Sequence, residues 1–176
     1  MNPNKKAQIR LNETIAVLFI FFVLILFGII FYYQYQKIAI KEKQEELLAS
    51  RAMETTLKTL FMPELVCTKG EAQAEDNCLD VIKLNAADET FQKHLGDYYF
   101  ELFSFANITV QELYPHPENI YYLYNKEKTT VLENGMILPA WSQKESTYFV
   151  VSLKNEINPA GQSQYGYGYL KVEVYS

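Results

Sequence analysis

The sequence lacks the motifs on which most catalytic and metal sites depend. Histidine occurs only at His94 and His116, and neither belongs to an HxH, HExxH or Cys/His cluster. No serine stands in a GxSxG context, and no phosphate-binding glycine loop occurs, since GYG at Gly166–Gly168 is too short. EAQAED at Glu71–Asp76 lacks the alternating oxygen ligands of a calcium loop. We therefore predict no catalytic residue, no cofactor and no metal site, and a protein that is not an enzyme.

Basic charge is also scarce. The 176 residues include 16 Lys and Arg against 21 Asp and Glu, a formal net charge of −5. No basic patch is interleaved with aromatic residues, which is the pattern that nucleic-acid binding requires. The composition therefore argues against nucleic acid as a partner.

Cysteine is limited to Cys67 and Cys78, which close the polar segment CTKGEAQAEDNC. A single pair with no second pair is poor zinc geometry. In an oxidising compartment the pair predicts a disulfide that contributes roughly 3 kcal/mol by closing the loop between them. Two free thiols in a reducing cytosol are the alternative. The segment itself is too polar to be expected in the core.

One long apolar run is present near the N-terminus. Every residue from Ile15 to Phe31 is apolar or is Gly28. About 20 such residues in a helix cross a hydrocarbon layer of roughly 30 Å. The run is too long for the apolar part of a signal peptide, and no A-x-A cleavage site follows it. We predict a transmembrane helix at residues 15–33.

The charges that flank this run predict its orientation. The residues before it include Lys5, Lys6 and Arg10, whereas the lysines after it are interleaved with glutamates. Positive residues stay in the cytoplasm, so the N-terminus is predicted to be cytoplasmic and the remainder extracytoplasmic, at the cell surface. Tyr32, Tyr33 and Tyr35 then fit an aromatic belt at the outer interface.

Helical character continues beyond the predicted span. The stretch up to Met62 contains no Gly or Pro, and Pro63 ends it, which predicts one helix from Glu13 to Met62. A break at Gly28 or at Gln34–Gln36 is the alternative. The spacing i, i+3, i+4, i+7 predicts one buried stripe. Its members are Ala49, Ala52, Met53, Thr56, Leu57 and Leu60.

The remaining sequence predicts an α+β domain. A helix follows the cysteine segment, with Asn85 or Asp88 as its cap and Gly96 as its end. YYFELFSFANITVQEL, NIYYLYNK, STYFVVSLKN and YGYGYLKVEVYS are predicted strands, and Leu170, Val172 and Val174 alternate onto one face of the last. Asn-Gly within Glu133–Met136 predicts a hairpin turn.

The predicted architecture is a mostly antiparallel sheet of four or five strands, packed against the apolar stripe of the long helix. The predicted regions are a basic leader at residues 1–14, the span at 15–33, a helical neck and amphipathic helix at 34–62, and an α+β domain at 63–176.

A long helix, apolar in its first half and amphipathic in its second, followed by an antiparallel sheet, resembles the type IV pilin architecture. The leader is similar to that of archaeal type IV pilins, in which a short basic leader ends in a small residue. Lys5, Lys6, Ala7 and Gln8 match that pattern. The resemblance implies cleavage by a prepilin peptidase between Ala7 and Gln8. It covers the whole chain in architecture, but in sequence only about the first 30 residues.

The chain departs from this family just after the implied cut. Arg10 and Glu13 precede the apolar run, where family members turn apolar almost at once. Bacterial pilins carry a glutamate at the fifth mature position, whereas here Asn12 is fifth and Glu13 is sixth. Glu13 is a possible helix-bundle contact, pairing with a neighbour's freed N-terminus. In the alternative, it lies at the cytoplasmic headgroup boundary beside Arg10.

Two other surface features carry an expectation. Asn107 begins an N-x-T sequon in the predicted outer domain and would accept a glycan if exposed, whereas the Asn12 sequon should stay bare. The 14 tyrosines either form an adhesive surface or, as we expect for alternating strand residues, pack within the sheet.

The leading functional prediction is a membrane-anchored pilin-like subunit or accessory of a type IV pilus or pseudopilus-like filament. Its partners would be the lipid bilayer, other pilin-like subunits or copies of itself, and a prepilin peptidase. The alternative is a single-pass protein that does not polymerise and binds a ligand or partner outside the cell. An accessory subunit of a larger membrane enzyme is a third possibility.

Overall fold

The fold is that of a computed structural model, which describes residues 3–69, 73–132, 135–156 and 163–176, with side chains from residue 15 onward. Its elements, in chain order, are α1 Pro3–Leu60, β1 Val66–Lys69, β2 Gln73–Asp80, α2 Val81–Lys93, α3 Tyr98–Phe103, β3 Ala106–Tyr114, β4 Ile120–Lys126, β5 Thr129–Val131, β6 Ile137–Pro139, β7 Lys144–Asn155 and β8 Gln164–Tyr175. The chain divides into two units, Met1–Gln44 and Glu45–Ser176, and each is described by itself.

Helix α1 is the only element of the first unit in the described residues. It is helical at Gly28 and at Gln34–Gln36, so neither predicted break occurs. The helix begins at Pro3 rather than at Glu13, and it ends at Leu60. From Pro3 onward it therefore includes the predicted leader, span and neck. The amide of Met62 then donates to the carbonyl of Thr59 at 3.3 Å, just before the proline that stops the helix.

The main sheet of the second unit has six strands in the order β1-β2-β7-β8-β3-β4. The prediction of four or five mostly antiparallel strands is therefore wrong in strand number and in one pairing. β2 pairs with β7 in parallel, from Cys78–Asp80 to Ser152–Lys154, whereas the other neighbours are antiparallel. A long connection separates β2 from β7, so no hairpin imposes an antiparallel direction.

The extra strands come from the cysteine segment. It was predicted as a polar loop, but it forms β1 and β2, which pair as a hairpin at the edge of the sheet. Most side chains of β2 are exposed, and burial begins only at Cys78 and Leu79. An edge hairpin needs few apolar residues, since its backbone hydrogen bonds are satisfied by the neighbouring strand and by water.

A second correction concerns the start of the third strand. The residues from Tyr98 to Phe103 were predicted as strand but form helix α3. Tyr99 and Phe103, four residues apart, are both buried and contact Phe91 of α2, with ring centroids 4.0 and 6.4 Å away. Spacing of four places both aromatic rings on one side of a helical turn, and this outweighs the strand propensity of the segment.

The predicted caps of α2 are also wrong. Asp80 caps the helix, since its carboxylate accepts hydrogen bonds from the amides of Ile82 at 2.9 Å and Lys83 at 3.4 Å. The helix continues through Asn85, whose side chain donates to the carbonyl of Val81. It ends at Lys93 rather than at Gly96.

The core is formed by the inner face of the sheet, the last turns of α1, and helices α2 and α3. The predicted inward residues of β8 (Leu170, Val172 and Val174) are fully buried, which confirms the alternation. The predicted stripe of α1 is correct only in part, because Ala49, Met53 and Leu57 are exposed. The buried positions of this segment are Leu48, Ala52, Thr55, Thr56, Thr59 and Leu60.

Threonine replaces the larger apolar residues on the buried side of α1. The hydroxyls of Thr56 and Thr59 donate to carbonyl oxygens of the preceding turn, those of Ala52 at 2.8 Å and Thr55 at 2.9 Å. The polar groups are thereby satisfied without water. Arg51 adds a polar clamp: its guanidinium donates to the carbonyls of Tyr175 at 3.2 Å, Phe105 at 3.3 Å and Phe103 at 3.5 Å.

A separate two-stranded sheet is formed by β5 and β6, with Thr129 opposite Pro139 and Val131 opposite Ile137. The predicted hairpin turn lies between these strands. Glu133 and Asn134 of that turn lie outside the described residues, and Gly135 has a φ of 80°, a conformation that glycine adopts without strain.

Candidate functional site

The first candidate surface is the apolar part of α1. Its most apolar 18-residue stretch is 0% buried, and among the described residues this helix alone is long and apolar enough to cross a membrane. Leu24 is 64% exposed and Ile25 is 43% exposed. Apolar side chains therefore point outward on every side of the helix, which indicates a surface that is covered by lipid or by other helices.

The aromatic residues after the run are placed as an interfacial belt requires. Tyr32, Tyr33 and Tyr35 are all exposed. The Tyr32 hydroxyl accepts a hydrogen bond from Gln36 at 2.7 Å, and the Lys37 ammonium lies 5.0 Å from the centroid of the Tyr33 ring. Amphipathic rings beside polar groups are typical of a helix that leaves the hydrocarbon layer at this level.

The residues predicted for processing and helix-bundle contact lie on the same helix. Ala7, Gln8 and Glu13 fall within α1, so the backbone on both sides of the implied cleavage point is helical. Their side chains lie outside the described ones. Cleavage after Ala7 and a role for Glu13 stay predictions.

A second surface is an exposed row formed by the last turns of α1 and the residue that follows them. Ala49, Met53, Leu57 and Phe61 follow one another at intervals of four residues, and all are exposed. We call these four residues the apolar row. Residues four apart form one ridge along a helix, which is the ridge used in the commonest class of helix–helix packing. The helical spacing predicts burial for three of them, because two adjacent stripes on one helix share nearly the same spacing.

The third surface is the outer face of the sheet, opposite the face that packs on α1. Five tyrosines on this face are more than half exposed: Tyr114, Tyr122, Tyr148, Tyr165 and Tyr167. Val150, between them on β7, is 72% exposed. The expectation that the strand tyrosines mainly pack within the sheet is wrong for these residues. Stacking of the Tyr114 and Tyr167 rings, with centroids 5.8 Å apart, leaves an open aromatic surface.

An ion cluster lies at one end of this face. Glu173 is almost buried, and its carboxylate accepts hydrogen bonds from the ammonium groups of Lys144 and Lys171, both at 2.9 Å. Burial alone would raise the pKa of Glu173, but the hydrogen bonds and charges of the two lysines outweigh it and lower that pKa. Asn107 also donates to this carboxylate at 3.2 Å.

The predicted glycan acceptor, Asn107, is the second residue of β3 and donates a hydrogen bond to Glu173. Its side chain is half-buried, and its oxygen is buried without a hydrogen bond from any described residue. Glycosylation at this position stays a prediction that depended on exposure, and exposure is incomplete.

The two cysteines form the predicted disulfide. Cys67 and Cys78 are bonded, with 5.3 Å between their Cα atoms, and both are buried. The bond joins β1 to β2 at the point where β2 begins to pair with β7. It therefore ties β1 to β2 within the edge hairpin.

A small cavity of about 20 Å³ lies where the end of β3 approaches β7 and β8. Its polar lining residues are Glu112, His116, Asn155 and Gln164. Glu112 is 5% exposed, and its carboxylate accepts hydrogen bonds from the side chains of Asn119 at 2.8 Å and Tyr121 at 3.5 Å. Burial and the charge of Glu112 raise the pKa of Tyr121. Among the described residues, no group of three His, Cys, Asp or Glu side chains could share a metal ion.

Two glycines allow the strands to meet at this cavity. A side chain at Gly166 would collide with the backbone carbonyl of Tyr114, and one at Gly168 with the carbonyl of Gln111. The register of β3 against β8 shifts between Glu112 and Tyr114, so the backbone bulges towards these glycines. The GYG motif is therefore explained by close backbone approach and not by phosphate binding.

No known family, curated protein or solved structure matches this chain.

Proposed function

We propose that this chain is a membrane-anchored, pilin-like surface protein that serves as a subunit or accessory of a type IV pilus or pseudopilus-like filament. The N-terminus is cytoplasmic and the unit from Glu45 onward is extracytoplasmic. The partners are the lipid bilayer, a prepilin peptidase, and other pilin-like subunits or copies of this chain. The protein is not an enzyme in this proposal.

The exposure of apolar side chains on every side of this part of α1 carries the proposal. Removing apolar surface from water contributes about 25 cal/mol for each Å², so a helix that is apolar on every side is strongly driven out of water. Lipid and a bundle of like helices both provide such surroundings. A pilin-like subunit uses the two in turn, which accounts for a helix without a polar side.

The apolar row supports the assembly part of the proposal. It places exposed apolar side chains on the folded unit, where a plain membrane anchor needs none. Met53, Leu57 and Phe61 are large residues that a neighbouring helix would cover. The Cys67–Cys78 disulfide supports the extracytoplasmic position, because disulfides persist in oxidising compartments.

Mass spectrometry of the N-terminus tests processing. In cells with a prepilin peptidase, the purified protein should begin at Gln8, and in cells lacking that peptidase it should keep its leader. A protein that begins at Met1 or Asn2 in both cell types would contradict the pilin-like proposal.

Self-association is tested at the apolar row with two matched variants. Leu57→Glu places a charge in the row, whereas Ser50→Glu places the same charge on an exposed position of the same helix segment. Chemical cross-linking in membranes should give fewer multimers for Leu57→Glu and an unchanged ladder for Ser50→Glu. Equal ladders for both variants and the unmodified protein would remove the row from the assembly surface.

The second candidate function is a single-pass protein that does not polymerise and binds a partner through its outer domain. The exposed tyrosines of the sheet favour it, since tyrosine supplies much of the contact area in protein interfaces. The edge of β7 favours it as well: among the described residues, Lys144–Val151 pairs with β8 alone. Monomers in membranes, together with partner binding that Val150→Lys abolishes, would favour this alternative.

A further inference from the structure

We propose that the cavity at the end of β3 binds one small divalent cation through oxygen ligands, with Glu112 as the charged ligand. The proposal concerns a site on the folded unit and does not depend on filament assembly.

The first observation is the charge balance of the cavity. Glu112 is buried and forms no ion pair with any described residue, and none of the residues that line the cavity is Lys or Arg. Its hydrogen-bond donors, Asn119 and Tyr121, are neutral. A buried carboxylate is stable when its charge is balanced or when it is fully hydrogen-bonded, and here the hydrogen bonds described reach only one of its two oxygens.

The second observation is an unpaired acceptor in the same cavity. The side-chain oxygen of Asn155 is buried and accepts no hydrogen bond from the described residues. Asn155 lies on β7 directly opposite Gln164 of β8, and both residues line the cavity together with Glu112. One carboxylate and two amide side chains therefore surround a single small space, and the buried, unpaired oxygen of Asn155 beside the charge of Glu112 calls for a positive or donating occupant.

The size of the space and the type of ligand define the occupant. A cavity of about 20 Å³ holds one water or one monatomic ion. Carboxylate and amide oxygens suit hard cations such as Ca²⁺, whereas imidazole suits zinc and copper. His116 is exposed at the cavity and is not needed as a ligand. A single carboxylate predicts weak binding, with a Kd of about 10⁻⁴ to 10⁻³ M, the range of extracellular calcium sites.

The ligands of this site come from separate parts of the chain. Glu112 precedes the bulge of β3, Asn155 ends β7 and Gln164 begins β8. The site therefore has no contiguous sequence motif. For this reason the sequence, which contains no calcium loop, gives no local sign of this metal site.

Calcium titration of the full-length protein tests the proposal. The protein is purified in a mild detergent, treated with EDTA, freed of the chelator and titrated with CaCl₂ by calorimetry, with NaCl at matched ionic strength as the blank. We expect one saturable site per chain and a thermal unfolding midpoint that rises with Ca²⁺ concentration above the Kd. No saturable binding of Ca²⁺ up to about ten times the expected Kd would overturn the proposal.

Variants at the cavity, with one control variant, identify the ligands. Glu112→Gln removes the charge and should weaken Ca²⁺ binding at least about tenfold. The control is Glu118→Gln, at an exposed glutamate of the connection between β3 and β4, and this variant should bind Ca²⁺ as the unmodified protein does. Asn155→Leu leaves the hydrogen bonds of Glu112 in place and should also weaken binding, which keeps the test valid if Glu112→Gln does not fold. Unchanged Ca²⁺ binding in both cavity variants would overturn the proposal. Loss of binding in His116→Ala would overturn the assignment to oxygen ligands.

Discussion

The two parts of helix α1 have opposite surroundings. Up to Gln44 the described side chains are almost all exposed, although most of those from Ile15 to Phe31 are apolar. From Glu45 to Leu60 one side is buried, and half of its buried residues are threonines. The difference teaches that hydrophobicity does not identify the core in this chain. Burial depends on a partner surface, which the sheet supplies only for the last turns.

Matched leucine substitutions should show the difference between the two parts of α1 most clearly. Leu60 is 4% exposed and Leu24 is 64% exposed, on the same helix. Leu60→Ala should lower the free energy of unfolding of the folded unit by about 2–5 kcal/mol, because it leaves a cavity in the core. Leu24→Ala should leave that free energy unchanged. Chemical unfolding of the full-length protein in mild detergent measures both, and equal losses would contradict the comparison.

Removal of the disulfide should have the next largest effect, again confined to the folded unit. Replacing both Cys67 and Cys78 by Ala should lower the free energy of unfolding by about 3 kcal/mol, since the unfolded chain gains the entropy that the closed loop removed. Extraction of the protein from membranes by carbonate should not change. Reduction of the unmodified protein by dithiothreitol is the control, and a protein equally stable with and without its bond would contradict the prediction.

The Arg51 clamp distinguishes polar attachment from apolar burial. Arg51→Ala should cost about 2 kcal/mol of unfolding free energy, because three carbonyl oxygens lose a charged donor. Lys43→Ala, an exposed cation on the same helix, should cost nothing measurable. If the two variants unfold at the same denaturant concentration, the clamp has no role in attaching the helix.

The smallest expected effect is a pH dependence at Glu173. The lysines lower its pKa in the folded state below the ordinary value of 4.5, so its contribution to stability is present above that value and is lost as the pH falls through the folded pKa. Glu173→Gln should therefore flatten the acid limb of a plot of unfolding free energy against pH below about 4.5. An unchanged slope would show that the cluster contributes nothing.

The parts of the fold that the sequence predicts are those with a local signal. The alternation of Leu170, Val172 and Val174 predicts β8, and the apolar run predicts a candidate span, because each pattern reflects one environment repeated along one element. The predictions fail where tertiary contacts decide. Helix α3 forms since Tyr99 and Phe103 pack on Phe91, and no local pattern shows that contact.

The functional surfaces divide in the same way. The exposed helix was predictable from composition, whereas the apolar row required knowledge of which side of α1 faces the sheet. The cavity could not be predicted, because Glu112, Asn155 and Gln164 become neighbours only through the strand order β7-β8-β3. The spacing of Gly166 and Gly168 was the one sequence signal of a close approach at that site.

The glycines of β8 also determine which substitutions this strand tolerates. Tyr165 and Tyr167 are exposed on one face, whereas Gly166 and Gly168 meet backbone carbonyls on the other. We therefore expect a library in which residues 165–168 are randomised to yield folded clones with an alternating pattern. Positions 165 and 167 should accept almost any residue, whereas positions 166 and 168 should accept only glycine. Residues on the outer face of β8 can thus be substituted to create new binding specificities without disturbing the pairing of β8 with β3.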